Sequence, residues 1–144
     1  MKKIELLAKN VRALFEKEKE AIRLPFSYSF PKNSCESTSC ILALLLMEKY
    51  PERTVEVVHG KSNYPCEHHF WVEVDNIIYD ITADQFDEIK FPIYGYKKHP
   101  MADHFIPIER DFASVFLLKY TKNVMEMEKL NPIYERIKSA LKNV

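Results

Sequence analysis

A cysteine, a histidine and an aspartate occur in this chain in settings that suit thiol chemistry. Cys35 opens a segment that continues into an apolar run at residues 40–47, and His69 and Asp80 lie on either side of a short turn. A thiolate can attack a carbonyl carbon, an imidazole can carry the proton, and a carboxylate can orient the imidazole. These residue types therefore favour nucleophilic chemistry at Cys35.

The positions of His69 and Asp80 follow from a predicted hairpin. An Asp-Asn pair at residues 75–76 is a strong two-residue turn signal, and it separates strands predicted at 69–74 and 77–82. Side chains alternate between the two faces of a strand, so His69 and Asp80 share a face as diagonal neighbours. Their Cα atoms should lie roughly 7–8 Å apart, which lets the carboxylate reach the imidazole.

The same alternation distinguishes the neighbours of His69. Trp71 falls on the face of His69, where it either shields a site or packs into the core, and packing is the favoured role. His68 falls on the opposite face, so His69 is the better candidate base. Two ordinary polar side chains on a hairpin would give the same pattern, and the hairpin alone favours that interpretation.

The setting of Cys35 is the start of a predicted helix at residues 34–50, with Asn33 and Glu36 resembling a capping box. The unpaired N–H groups and the partial positive charge of a helix N-terminus favour a thiolate. The same N–H groups can hold a developing oxyanion. The apolar run at 40–47 predicts that this helix is central and covered on all sides. A buried structural cysteine at this position would also fit.

The other two cysteines have plainer interpretations, and a metal site is not favoured. Cys40 lies about 140° around the helix from Cys35 and reads as a core thiol, whereas Cys66 reads as a loop thiol. Cys66, His68 and His69 are close in sequence, but no pair has zinc-finger spacing. We therefore expect no metal and no cofactor, and a domain that folds without either.

The remaining pattern predicts an α+β domain, with an antiparallel sheet packed on a central helix and one domain over residues 1–144. The strand predicted around Phe91 to Tyr96 should lie at a sheet edge because of Pro92. The other predicted elements are helices at 3–22, 111–122 and 132–143, with Pro132 first in the last of these, a strand at 54–59 and a loop at 97–107.

Composition excludes several classes of function. Lysine plus arginine number 21 and aspartate plus glutamate also number 21, which gives no electrostatic reason to expect a nucleic-acid or membrane partner. The chain has 2 glycines, too few for a phosphate-binding loop. Its 3 cysteines, an odd number, and a start unlike a signal peptide predict free thiols and a cytoplasmic location. Export by an unrecognised signal would escape this argument.

Residues 33–86 resemble the transglutaminase-like superfamily, which shares the papain-like cysteine arrangement. That family has a cysteine at the start of its central helix, a strand ending in glycine, a His-x-Trp-x-Glu strand and an Asp-x-Thr element. The corresponding segments here are Cys35, the strand from Val55 to Gly60, residues 69–74 and residues 80–82. The family often has a glycine two residues before its cysteine, where this chain has Asn33.

The resemblance implies a papain-like fold and a triad of Cys35 as nucleophile, His69 as base and Asp80 as orienter. It implies an amide hydrolase or acyl transferase of peptidase, glutamine deamidase or transglutaminase type, with a thioester intermediate and a protein or peptide amide as substrate. The Cys35 N–H would be one oxyanion donor. Further candidate oxyanion or substrate-binding residues are Asn33, Tyr28, Gln85, Trp71, Tyr94 and Tyr96.

Two alternatives remain open at this stage. A papain-like fold with an inactive triad would serve as a binding module for a protein or peptide partner. An acetyltransferase that takes its acyl group from a thioester donor would use the same triad.

Overall fold

The structure, a computed structural model, describes residues 2–142, which form four α-helices and one five-stranded sheet. The helices are α1 (Lys2–Glu18), α2 (Cys35–Lys49), α3 (Ala113–Asn123) and α4 (Met127–Lys142). The strands are β1 (Val55–Lys61), β2 (His68–Val74), β3 (Ile77–Asp80), β4 (Ile93–Tyr96) and β5 (Ile106–Phe112). The prediction of an α+β chain is confirmed.

The sheet is antiparallel throughout, with strand order β4-β3-β2-β1-β5. The β2–β3 hairpin turns at Asp75 and Asn76, whose φ angles of 49° and 68° are the positive values that a tight two-residue turn requires. Val74 pairs with Ile77, as the sequence predicted. Strand β4 lies at an edge, also as predicted.

Helix α2 packs on one face of the sheet and lies at the centre of the larger core. Every residue from Ser37 to Leu46 is buried, which confirms that this helix is covered on all sides. Val57 and Val72 of the sheet join it in one apolar cluster with residues of α1, α3 and α4. A run of small and apolar side chains with no charged position permits such burial, since no face needs solvent.

The opposite face of the sheet carries a second, smaller cluster. Trp71 of β2 packs there with Val58 and Ile78 from the adjoining strands. Chain segments cover this face in place of a helix: Ala83 follows β3, and Phe105 precedes β5. His69 lies on this face with Trp71, whereas His68 contacts His59 on the other face, as strand alternation predicted.

Several predicted boundaries were wrong. Strand β5 occupies residues 106–112, where the sequence predicted the end of a loop and the start of a helix, because Pro107 and three consecutive charged residues disguise an exposed edge strand. Helix α4 begins at Met127 and contains Pro132, which was predicted as its first residue; residue 143 of that predicted helix lies outside the described residues. Helix α1 ends at Glu18.

Within residues 2–142, no helix combines the length and the apolar character that crossing a membrane requires.

Candidate active site

Cys35 is the first residue of α2 and is 9% exposed. The predicted capping box is wrong, because Ser34 is the N-cap residue and makes no side-chain cap hydrogen bond. Asn33 precedes it with a φ of 60°, in the left-handed region. Among non-glycine residues, asparagine tolerates that conformation best, so Asn33 can stand where glycine would be the default.

His69 and Asp80 form the hydrogen bond that the hairpin register predicted. The distance from His69 Nε2 to Asp80 Oδ2 is 2.6 Å, and both side chains are at most 1% exposed. The other carboxylate oxygen, Oδ1, accepts from the Thr82 N–H at 3.2 Å and from the Thr82 hydroxyl at 3.4 Å. The Asp-x-Thr spacing thus closes a local turn that fixes the carboxylate.

His69 and Asp80 shift each other's pKa towards the charged forms, against the effect of burial. Burial by itself lowers the pKa of His69, but the charge and hydrogen bond of Asp80, and then Cys35, raise it to about 10. Burial by itself raises the pKa of Asp80, but His69 and then His99 hold it well below its ordinary value. Because each group favours the charged form of the other, the arrangement stabilises an imidazolium beside a carboxylate.

Cys35 and Gln85 are the other neighbours of the His69 imidazole, whose Nε2 is occupied by Asp80. Cys35 contributes to the raised pKa of His69, after the larger effect of Asp80. The amide Nε2 of Gln85 lies 3.5 Å from His69 Nδ1. Gln85 also bonds to the loop before the cysteine, accepting from the Asn33 N–H at 3.4 Å. Gln85 therefore links the imidazole to the residues that precede Cys35.

Aromatic rings enclose His69, which is 0% exposed. The rings of Phe86 and Phe105 lie 4.9 Å and 5.5 Å from that of His69, measured between centroids. Trp71 lies 5.8 Å from it, and the indole N–H donates to Glu73 Oε2 at 2.9 Å. Trp71 is therefore a packing residue whose polar group is already paired, as its favoured role predicted.

His99 is a member of this cluster that sequence reasoning missed. Its Nε2 lies 2.8 Å from Asp80 Oδ2, the oxygen that also bonds to His69, and its side chain is 3% exposed. His99 belongs to the segment between β4 and β5, which the sequence predicted only as a loop at residues 97–107. No local pattern could have identified it, because the contact joins positions 19 residues apart, with strand β4 between them.

The three tyrosines predicted for oxyanion or substrate binding make their contacts outside the cluster around His69. Tyr94 is directed towards α1, where Lys9 Nζ lies 5.4 Å from the centre of its ring. Tyr96 is 50% exposed on the edge strand β4, and Tyr28 is 64% exposed beside Phe26. Among the contacts of residues 2–142, none of these three tyrosines forms a hydrogen bond with Cys35, His69 or Asp80.

A metal ion is the chemical alternative at this cluster, because His69, Asp80 and His99 offer ligand atoms within 4.8 Å of one another. The two contacts with Asp80 are 2.6 Å and 2.8 Å, which are hydrogen-bond lengths. Donor atoms around a tetrahedral zinc at its usual bond lengths would stand about 3.3 Å apart. The geometry therefore fits two N–H donors on one carboxylate better than three ligands on one ion.

No protein-family model, curated protein or solved structure matches this chain.

Proposed function

We propose that this chain is a cysteine-nucleophile amide hydrolase or acyl transferase, with Cys35 as nucleophile, His69 as base and Asp80 as orienter. The observation that carries the proposal is the buried hydrogen bond between His69 Nε2 and Asp80, and the influence of Cys35 on the pKa of the same imidazole supports it. These are the groups that a thiol triad needs. Its substrate would be a protein or peptide amide.

The first half of the reaction forms a thioester. The Cys35 thiol passes its proton to His69 Nδ1, and the thiolate sulfur forms a bond to the substrate carbonyl carbon. As the intermediate collapses, the carbon–nitrogen bond breaks and His69 returns the proton to the departing amine. Asp80 holds the ring and stabilises its positive charge throughout, without taking the proton.

The second half releases the acyl group. Water or a second amine attacks the thioester carbon and gives its proton to His69, which returns it to the Cys35 sulfur as the carbon–sulfur bond breaks. Water yields a carboxylic acid, which is hydrolysis or deamidation, and an amine yields a new amide. A peptidase, a glutamine deamidase and a transglutaminase share these steps and differ in substrate and acceptor.

Two N–H donors are placed to stabilise the oxyanion of each tetrahedral intermediate. The backbone N–H of Cys35 belongs to the first turn of α2, where such groups have no partner within the helix. The Gln85 side-chain amide nitrogen lies 3.5 Å from His69 Nδ1, the ring nitrogen that does not bond to Asp80. Of the candidates for second oxyanion donor, Gln85 is thus the one that the contacts favour.

Membership of the transglutaminase-like superfamily is part of this proposal, and two local features support it. Asn33 adopts the positive φ that explains a glycine at this position in the family. Gly60 is the last residue but one of β1, where a Cβ would lie 2.8 Å from the ring of Trp71, so the glycine and the tryptophan of the resemblance depend on each other.

The inactive binding module remains the second candidate, because the site is closely covered. His69 is 0% exposed, and a surface cavity of about 480 Å³ is lined by residues of α1, α2 and α4 rather than by the triad. A binding module with a relic triad would have no need of an accessible thiol.

Covalent trapping separates the two candidates. The native chain, Cys35→Ser and His69→Gln are each incubated with a library of amide-mimetic electrophiles and analysed by intact mass and peptide mapping. The proposal expects an adduct on Cys35 that disappears in Cys35→Ser and forms far more slowly in His69→Gln. A native chain whose Cys35 stays unmodified, while Cys66 is labelled, would favour the binding module.

A further inference from the structure

His99 and His69 share one carboxylate oxygen. Asp80 Oδ2 lies 2.6 Å from His69 Nε2 and 2.8 Å from His99 Nε2, and the three side chains are at most 3% exposed. A thiol triad requires only one imidazole on its carboxylate. The proposed reaction therefore assigns no role to His99.

The protonation of His99 follows from its other nitrogen. The backbone N–H of Met101 donates to His99 Nδ1 at 3.1 Å, so this nitrogen is an acceptor and carries no proton. The proton of the neutral ring is then on Nε2, which donates to Asp80. The Met101 contact thereby fixes the orientation of the ring, with Nε2 directed to Asp80.

His99 also ties a covering segment to the site. Residues 97–105 connect the edge strand β4 to β5, and both His99 and Phe105 of this segment are buried against the site. The His99 ring lies 4.8 Å from that of Trp71, and the Phe105 ring lies 5.5 Å from that of His69. One hydrogen bond thus joins the carboxylate to the segment that covers the imidazole.

We propose that His99 is a positioning residue for the Cys35–His69 pair, acting through Asp80. Its Nε2–H donates to the carboxylate and so holds it in the orientation that bonds to His69. This second hydrogen bond also partly offsets the negative charge of Asp80, which would otherwise act on His69 alone. It also keeps residues 97–105 over the imidazole. This inference rests on the proposed function, because positioning has a catalytic meaning only if Cys35 is the nucleophile.

The test compares His99→Gln, which keeps an N–H donor at a similar reach, with His99→Leu, which keeps bulk and loses the donor. The matched control is His104→Leu on the same segment, because His104 contacts Glu67 at 3.4 Å and not Asp80. The first readout is the pH at the midpoint of the His69 titration, which is measured by NMR on protein labelled with ¹⁵N-histidine. The titratable or charged side chains acting on His69 are Asp80 from β3 and Cys35 from α2, with His99 acting through Asp80.

In His99→Leu, the His69 midpoint should move to higher pH by up to about one unit, because Asp80 loses a competing donor worth one hydrogen bond to a charged group. The second readout is the rate constant for alkylation of Cys35 by iodoacetamide. It should fall about tenfold in His99→Leu, because an imidazole whose carboxylate is no longer held in place is misaligned with the thiol, and this loss outweighs the higher basicity of the ring. His99→Gln and His104→Leu should leave both quantities close to those of the native chain. Circular dichroism confirms that each variant is folded before either measurement.

Three results would overturn the inference: His99→Leu behaving like His104→Leu in both readouts, His99→Gln being as impaired as His99→Leu, or the His69 midpoint moving to lower pH. If His99→Leu does not fold, His99→Asn takes its place, because its shorter amide cannot reach Asp80. An inert Cys35 in the native chain would instead refute the proposed function. The NMR midpoints remain measurable in that case, so the two failures are distinguishable.

Discussion

The indole of Trp71 lies directly against the backbone of Gly60 on the neighbouring strand. A Cβ placed on Gly60 would be 2.8 Å from Trp71 Cζ3, closer than Cβ atoms approach other atoms in folded proteins, and 3.1 Å from Phe105 Cβ, which is tighter than most Cβ contacts. Trp71 in turn contacts the rings of His69 and His99. The absence of a side chain at Gly60 therefore sets the position of a ring that packs against both histidines of the site.

Gly60→Ala should destabilise the fold by about 1–3 kcal/mol, the usual cost of overpacking a well-filled core. Because the displaced ring is Trp71, the tryptophan fluorescence of the folded variant should also change. Urea unfolding followed by circular dichroism measures the first effect, and the emission spectrum measures the second. Gly95→Ala is a poor control, because an alanine at the Gly95 φ of 83° would itself be strained. Ala83→Gly, at a fully buried position, serves instead as the comparison for core disruption alone. Unchanged stability in Gly60→Ala would contradict the close contact.

Cys35 should be the thiol that iodoacetamide labels first at pH 6. Burial, and then the charge of Glu36, raises the pKa of Cys40 to about 12, so Cys40 should be inert. Cys66 is exposed but lies outside the helices, so it lacks the helix N-terminus that favours a thiolate at Cys35. Peptide mapping after brief treatment gives the order of labelling.

The control for this selectivity is the pair Cys66→Ser and His69→Gln. Cys66→Ser should leave the labelling of Cys35 unchanged, whereas His69→Gln should abolish its advantage because the imidazole no longer takes the thiol proton. Labelling of Cys66 with Cys35 untouched would show that Cys35 is not activated.

The His69–Asp80 pair should make stability depend on pH in both directions. The raised pKa of His69, about 10 against an ordinary 6.5, stabilises the fold fully below pH 6.5, and this contribution is lost as the pH rises through 10. The lowered pKa of Asp80 gives a contribution that is present above its ordinary value of 3.8 and is lost as the pH falls below it. Urea midpoints measured from pH 3 to 10 should therefore be highest between about pH 4 and 6.5.

Asp80→Asn is the matched variant for this profile. Without the carboxylate, His69 has no charged partner to raise its pKa, so the decline in stability between pH 7 and 10 should become much shallower. If the native chain and Asp80→Asn showed parallel profiles over that range, the buried charge pair would not account for the pH dependence.

Ser34 carries a buried hydroxyl, 1% exposed, which has no hydrogen-bond partner among the residues that the structure describes. Ser34→Ala should change the free energy of unfolding by less than about 0.5 kcal/mol, because no cap bond is lost and an unsatisfied polar group is removed. Thr38→Ala is the control, since Thr38 Oγ1 does bond to the Ser34 carbonyl at 2.9 Å, and it should cost about 1 kcal/mol. Equal losses in the two variants would show that the Ser34 hydroxyl has a partner.

Much of the site could be predicted because its parts are local. The positions of His69 and Asp80 depend on a two-residue turn and on strand alternation. Both features can be recognised within about a dozen consecutive residues. The burial of α2 follows from an apolar run with no charged position. Such patterns depend on short-range geometry, and the structure has the predicted pairing of Val74 with Ile77.

The parts that could not be predicted depend on contacts between distant segments. His99 reaches Asp80 from a loop that has no periodicity, and β5 pairs with β1 although its residues are mostly exposed and include Pro107. The capping box failed for a different reason: Asn33 has a φ of 60°, and its place in a left-handed turn moves the N-cap to Ser34. Tertiary contacts decided the positions of His99 and β5, and a local backbone conformation decided the N-cap.

Phe86 lies between β3 and β4, and its contact with His69 makes it the residue with which to test access to the site. The Phe86 ring meets the His69 ring edge-on at 4.9 Å between centroids and is only half-buried, so it lies between the imidazole and solvent. Phe86→Ala should increase the labelling rate of Cys35 by a bulky maleimide more than by iodoacetamide, because removing the ring widens the approach for large reagents first. Tyr96→Ala is the matched control, since that ring is 50% exposed on β4, and it should leave the ratio of the two rates unchanged. An unchanged ratio in a folded Phe86→Ala variant, or an equal change in Tyr96→Ala, would mean that Phe86 does not limit access to the thiol.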